Sequence, residues 1–474
     1  MTIPDQLLSD SIRLLPLFVV VITGLVQMIL ATTRLSPVTV TLVSLAGYLI
    51  AAILLATGGM PTGDLFNGFV RIESIGWVGS WVVLLIACLH TLIVSRSGST
   101  YSVKTADFLA LQAFAVAGML MLIWSGDLIT VFIGVETMSI PFYVMAGINR
   151  KDIRSNEAAM KYFLIGAFAG GFLLYGIALI YGATGSTSLT VIREFLENGQ
   201  AGLLYWLGLA LVLVGFLFKI SGVPFHFWAP DVYQGAPSAS SAFLATAGKV
   251  ASFTGLAVIG LKLAPPLSDK WIGILAVVSG LSMIAGNLTA LPQSSIKRML
   301  GFSSVAHAGY ILLGFLSQSG SGFQAVGYYL LVYAVTNFAA FAVVMLLETD
   351  SKGLSVDGAR GLGYRRPLES AILAITMFSL LGLPPLGGFV GKYLIFIDAW
   401  QAGYYSLVIL AVITSIISAG FYLKVVVALY QPVDTSREPI HGSLALVSVC
   451  LAVVIILVTG IWPAWPSGLL LSAW

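Results

Sequence analysis

Residues 216–237 read FLFKISGVPFHFWAPDVYQGAP and close a long apolar segment that begins near Gly202. Pro224 interrupts that segment, and Lys219 lies deep within it. A proline inside a membrane helix removes a backbone hydrogen bond, and unwound backbone is tolerated in lipid only where it is buried or lines a cavity. A lysine at that depth costs several kcal/mol unless it is paired, neutralised or wetted. The two features stand five residues apart. Together they point to an ion or proton site at a broken helix.

The rest of the composition agrees with a membrane setting. The chain has 474 residues, of which 58% are hydrophobic and 9% charged, with a mean hydropathy of +0.98. A soluble domain carries about 25% charge, so this is a polytopic membrane protein. The net charge of +3 is too small and scattered for a nucleic-acid partner. The two cysteines, Cys88 and Cys450, lie in apolar runs and form no C-x-x-C, Cys/His or haem-attachment pattern. A metal or iron–sulfur centre of the chain's own is therefore not expected. Gly-x-Gly-x-x-Gly and P-loop patterns are also absent from any strand-to-helix context, so the driving energy is expected to be captured elsewhere. Asp5 and Asp10 replace the basic start of a signal peptide, and the first apolar run outlasts a signal core, so a retained first helix is expected.

Apolar stretches of about 20 residues bounded by charge or Gly/Pro clusters predict fourteen transmembrane helices. Their spans are 12–31, 37–57, 74–95, 105–125, 127–149, 157–182, 202–230, 241–263, 270–290, 298–317, 322–347, 367–402, 403–430 and 443–465. Loops after odd-numbered helices hold 13 of the 23 basic residues, among them Arg34, Arg96, Arg150, Arg298, Lys352, Arg366 and Arg437. Loops on the other side hold five: Arg13, Arg71, Arg193, Lys262 and Lys270. The positive-inside rule then puts both termini outside the cytoplasm. Residues 367–402 are too long for one crossing and contain GLPPLGGFVGK ahead of Lys392. Helices 7 and 12 thus each combine a break with a lysine. An offset of five helices predicts two inverted repeats, helices 4–8 (residues 105–263) and 9–13 (264–430), flanked by 1–104 and 431–474.

The intramembrane charges carry the functional argument. Glu136 lies nine residues into helix 5, about 14 Å deep, and is read as a proton-coupled partner of Lys219. Lys219 and Lys249 are deep in helices 7 and 8; a lysine whose counter-charge can move away is a proton donor. Lys392 follows the second break, where freed carbonyls can solvate it. Lys161, one turn into helix 6, admits either a functional role or snorkelling to the cytoplasmic face, and Lys424 favours snorkelling. His307, in SSVAHAGY, is either a satisfied core histidine or a relay between repeats. His226 adjoins the break and serves there or merely caps freed carbonyls. The glycine-rich run GAFAGGFLLYG (166–176) is read as a close helix contact.

Five stretches carry a resemblance: GVETMSIPFYVMAG, SNEAAMKYFLIGAFAGGFLLYGIALIYGATG, FKISGVPFHFWAPDVYQGAP, IKRMLGFSSVAHAGY and GLPPLGGFVGKYLIF. Over most of residues 105–430 the chain resembles the subunit N family, antiporter-like subunits of proton-pumping NADH:quinone oxidoreductase, respiratory complex I. The resemblance implies a membrane-arm subunit beside two paralogous antiporter-like subunits in a bacterial plasma membrane. Flavin, iron–sulfur clusters and quinone are then expected in partner subunits, with none in this chain. It also implies that Glu136 pairs with Lys219, that Lys249 is the central helix-8 group, that Lys392 is the outward lysine, and that His307 is a relay. Lys161 matches a family lysine as well. Thr137 stands where the family often has a bulkier apolar residue, a change of packing rather than of protonation. Two other readings remain: a monovalent cation/proton antiporter subunit, and a mainly structural subunit joining its neighbours.

Overall fold

The computed structural model describes residues 5–58, 63–101, 104–199, 201–263, 269–317, 319–348, 353–432 and 444–464. Lys352 and Arg437 lie outside the described residues, as do the ends of the chain and the side chains of Arg96 and Lys270. Among the described residues, eleven helices are long and apolar enough to cross a membrane. Leu15–Leu30, Ile296–Gly314 and the pair Pro367–Leu381 and Gly387–Gln401 supply three more crossings, which restores the fourteen read from the sequence. Ile296–Gly314 is less apolar because it carries Lys297, Arg298, His307 and three further polar side chains, yet it is buried along almost its whole length.

Crossings with polar interiors sit inside the bundle. The eighth (Ser238–Gly260) is wholly buried and the eleventh (Gly320–Leu347) is 94% buried. The second (Pro37–Thr57) and thirteenth (Tyr405–Leu429) are buried over a third of their length, and their exposed faces are leucine, isoleucine and valine. A bundle in lipid has no hydrophobic drive to hold its helices together, so close backbone contact does that work. Gly118 in the fourth crossing (Thr105–Ile123) and Gly134 in the fifth (Leu128–Ala146) face one another; a Cβ at Gly118 would stand 2.7 Å from Thr137 C, and one at Gly134 2.8 Å from Leu122 Cα. Gly286 in the ninth (Asp269–Ala290) and Gly309 in the tenth (Ile296–Gly314) repeat the arrangement, against Phe302 O at 2.8 Å and Ser279 O at 2.7 Å. A Cβ at Gly176 in the sixth (Ile153–Thr184) would stand 2.6 Å from Gly208 O in the seventh (Leu203–Ile220), so the glycine-rich run is a helix contact.

Both long interrupted segments are broken. The seventh crossing stops at Ile220 rather than running to residue 230, turns through Ser221 (φ 60°) and resumes as Trp228–Gly235. The twelfth stops at Leu381, turns through Gly382 (φ 89°) and resumes at Gly387. At the first break Trp228 Nε1 donates to Phe218 O (2.9 Å), and Val223 N donates to Ser282 Oγ (3.0 Å). Those bonds satisfy groups that the missing helical turn would leave bare.

Some local structure departs from the sequence reading. The first apolar run begins at Leu15, after a separate polar helix Asp5–Arg13. The loop after the sixth crossing folds into an amphipathic helix, Leu189–Glu197, which buries Leu189, Ile192 and Leu196. A two-residue hairpin pairs Asp64–Leu65 with Val70–Arg71, and Asp10 accepts from Phe66 N (2.9 Å) to tie the first helix to it.

Candidate functional site

The fifth crossing carries Glu136 towards the sixth. Its Oε1 is buried without a hydrogen-bond partner among the described residues, and a Cβ at Gly170 would come within 2.6 Å of it. Gly170 therefore makes the recess in which the carboxylate rests. Lys219, buried at the end of the first half of the seventh crossing, does not close an ion pair with Glu136. Its Nζ instead donates to Ser139 Oγ (2.6 Å), one turn beyond Glu136, and Ser139 passes its own proton to Val135 O. The rings of Phe218 and Tyr143 lie 5.3 and 5.6 Å from Nζ, a cation–π setting. The expected pair is thus neighbouring but open, with Glu136 resting against the sixth crossing and Lys219 bonded to Ser139 of the fifth.

Lys249, in the second half of the eighth crossing (Ala247–Leu263), is 1% exposed. Its Nζ donates to Ser304 O (2.8 Å) and Ser304 Oγ (3.0 Å) of the tenth crossing. Tyr233, on the half-helix after the first break, turns its buried hydroxyl towards Ser221 and Ser304 without a hydrogen bond among the described residues. His307 lies one turn beyond Ser304. Its Nδ1 is 2.6 Å from Tyr329 Oη and its Nε2 3.1 Å from Tyr422 Oη, which is 2.5 Å from Ser303 Oγ. A neutral imidazole donates at one nitrogen and accepts at the other, and a tyrosine hydroxyl can do either, so this cluster can pass a proton without moving a heavy atom far.

Tyr310, one turn further, leads to the second break. Its ring lies 5.7 Å from that of His307 and 5.0 Å from Lys392 Nζ. Lys392 donates to Leu381 O (3.0 Å), a carbonyl released by the break, and to Ser415 Oγ (2.9 Å) of the thirteenth crossing. A Cβ at Gly382 would approach Lys392 Cδ to 3.1 Å, and its φ of 89° suits glycine alone. Lys392 also lines a cavity of about 490 Å³ between the twelfth and thirteenth crossings.

The remaining sequence candidates fall elsewhere. Lys161 stands apart from the buried row in a half-exposed ionic cluster, 2.7 Å from Glu157 and 3.1 Å from Asp231. Asp231 also holds Arg298 at 2.5 Å, so the cluster ties the sixth crossing, the half-helix Trp228–Gly235 and the tenth crossing together. Lys424 reaches Gln293 O (3.4 Å) at an exposed helix end, as snorkelling predicts. His226 is buried beside Phe227, with no partner for Nδ1 among the described residues.

Sequence reasoning missed the hydroxyl groups Ser139, Tyr233, Ser304, Tyr310 and Tyr422. A signal for some was present: Ser303, Ser304 and Tyr310 stand at helical spacing around His307 within SSVAHAGY. Asp231 lay in the opening stretch itself, disguised as an ordinary loop acid.

Paired discontinuous helices around a buried row of basic side chains define an antiporter-like membrane subunit. Residues 125–418 match the model of the NADH:quinone oxidoreductase/Mrp antiporter transmembrane family. The chain is 41% identical over 391 residues to NADH-quinone oxidoreductase subunit N of Trichlorobacter lovleyi, covering 82% of this chain and 80% of that one. It belongs to the subunit N family of NADH-quinone oxidoreductase. A chain in the structure of respiratory complex I from Thermus thermophilus with bound aureothin is similar at 35% identity, with a TM-score of 0.82 over 96% of this chain and 98% of that one. A chain of the Mrp complex of a Dietzia species shares the fold at 21% identity, with a TM-score of 0.84 over 98% of this chain and 97% of that one.

Proposed function

We propose that this chain moves protons across the bacterial plasma membrane as an antiporter-like subunit in the membrane arm of an NADH:quinone oxidoreductase. The reading is carried by one observation. Lys219, Lys249, His307 and Lys392 are all buried, each bonds at least one hydroxyl group, and none has a carboxylate within 4.0 Å among the described residues. Such groups are expensive in a membrane interior and are kept where charge must pass.

The geometry supports the following steps. Glu136, drawn back against Gly170, leaves Lys219 without a counter-charge, and a proton there is readily passed on. Tyr233 and Ser304 carry it to Lys249; Tyr422 and His307 carry it past Tyr310 to Lys392. Approach of Glu136 to Lys219 reloads the first site. Oxidation of NADH and quinone reduction, with their flavin and iron–sulfur clusters, belong to partner subunits, and this chain holds no redox centre. The paralogous antiporter-like subunits are its neighbours. The breaks at 221–227 and 382–386 are equivalent points of two inverted five-helix units, 105–263 and 264–430. The basic-rich loops face the cytoplasm, both termini lie outside it, and Lys392 serves the outer side.

Lys219→Ala in the intact complex, purified and placed in liposomes, tests the proposal. Quinone-linked electron transfer and proton uptake are recorded together, with assembly checked by subunit content. Both rates should collapse while assembly stays normal. Wild-type rates for both would make Lys219 structural and overturn the scheme.

A further inference from the structure

A second buried acid lies beyond the row. Asp398 stands on Gly387–Gln401, six residues past Lys392, and is 7% exposed. Its Oδ1 accepts from Ser321 Oγ (2.7 Å) and Ser319 Oγ (3.1 Å). The Ser319 and Ser321 hydroxyls are 2.9 Å apart, and Ser317 adds a third at 3.0 Å from Ser319. Ser321 is exposed, so a run of hydroxyls reaches from the membrane face to the buried carboxylate.

Structural duties do not account for Asp398. It packs beside the start of the eleventh crossing, but the N-cap there is Ser319, which accepts from Gly322 N (2.9 Å). Among the described residues no Lys, Arg or His is within 4.0 Å of its carboxylate, and Oδ2 is buried without a partner. A Cβ at Gly322 would come within 2.7 Å of Oδ2 and 2.9 Å of Gly314 O, so glycine allows the helix to close over that oxygen. A buried carboxylate with one bare oxygen costs free energy that burial and capping do not return.

We propose that Asp398 exchanges protons with water at this face, as the last protonatable group on the route from Lys392. This rests on the proton-translocation reading above. Six residues separate the two along one helix, about 9 Å of rise, so on this proposal the proton crosses between them by way of water. A proton leaves the Lys392 ammonium for Oδ2, giving a neutral amine and a neutral carboxyl. The carboxyl turns, its O–H proton passes to the Ser319 and Ser321 hydroxyls as each gives up its own, and the carboxylate is restored.

D398N in the assembled complex tests this, with proton uptake and quinone reduction measured in liposomes beside K219A and D398E. The amide oxygen introduced by D398N would keep an acceptor for both serines, but the amide cannot take the proton. D398N should assemble normally, lose at least tenfold in coupled turnover, and be largely restored by D398E. Wild-type turnover in D398N, with K219A inactive, overturns the role of Asp398 and leaves the translocation reading standing. Wild-type rates in K219A overturn both. If D398N does not assemble, S321A is read instead: slowed proton release with a raised solvent deuterium isotope effect supports the proposal, and unchanged rates overturn it.

Discussion

Lys249→Met separates transport from support. Lys249 is wholly enclosed and bonds Ser304 twice, at 2.8 and 3.0 Å. Methionine matches the length of the side chain without its amine. Losing two hydrogen bonds costs roughly 1 kcal/mol each. Against that, a lysine at the middle of a membrane helix costs about 2.5–3.5 kcal/mol. The net effect on stability is then about 0.5–1.5 kcal/mol in favour of the variant. Thermal unfolding of the purified complex should show no loss, and its subunit content should be unchanged. Coupled quinone reduction should fall at least tenfold, a barrier increase of about 1.4 kcal/mol. The opposite pattern, a destabilised complex whose surviving fraction pumps at the wild-type rate, would refute the reasoning and make Lys249 a scaffold.

Two further substitutions probe the recess of Glu136 and the cluster around His307. Gly170→Ala places a methyl group 2.6 Å from Glu136 Oε1, an atom at the tip of a flexible side chain, so the helix should be as stable as before while the carboxylate is displaced. Coupled turnover should fall severalfold, whereas Gly171→Ala, with nothing within 4 Å of the added carbon, should leave it unchanged. Tyr422→Phe deletes the hydroxyl between Ser303 and His307, and proton uptake per quinone reduced should drop in liposomes with a stability loss of about 1–2 kcal/mol.

The parts of this protein legible in its sequence are those that clash with lipid. Lys219 beside Pro224, and GLPPLGG before Lys392, are anomalies in an apolar run, and both mark true breaks in the structure. The fourteen crossings were legible for the same reason, since each must shield its own backbone over a fixed thickness. Apart from those grouped around His307 in SSVAHAGY, hydroxyl partners were not legible, because serine and tyrosine are unremarkable in a helix and gain meaning from what faces them. Ser139 looked like filler in ETMSIPF, yet it takes the bond expected of Glu136. Asp398 escaped for a different reason: it lies near a helix end, where an acid costs little to place, and its burial comes from the eleventh crossing closing over it. The apolar count overran the helix end at Ile220 because Phe225 and Trp228 continue the hydrophobic run through the unwound turn.

The glycine contacts have a mechanical consequence. Where Gly176 meets Gly208, or Gly286 meets the tenth crossing, backbone lies on backbone with no side chain between to rotate or yield. Crossings 4 with 5, 6 with 7, and 9 with 10 therefore behave as stiff plates of two helices each. Sliding within a plate would drive main-chain atoms together, so displacement is confined to the seams between plates and to the short unwound turns at 221–227 and 382–386. A push delivered from a neighbouring subunit would travel through the plates nearly undiminished and be spent where the chain can bend, beside Lys219 and Lys392.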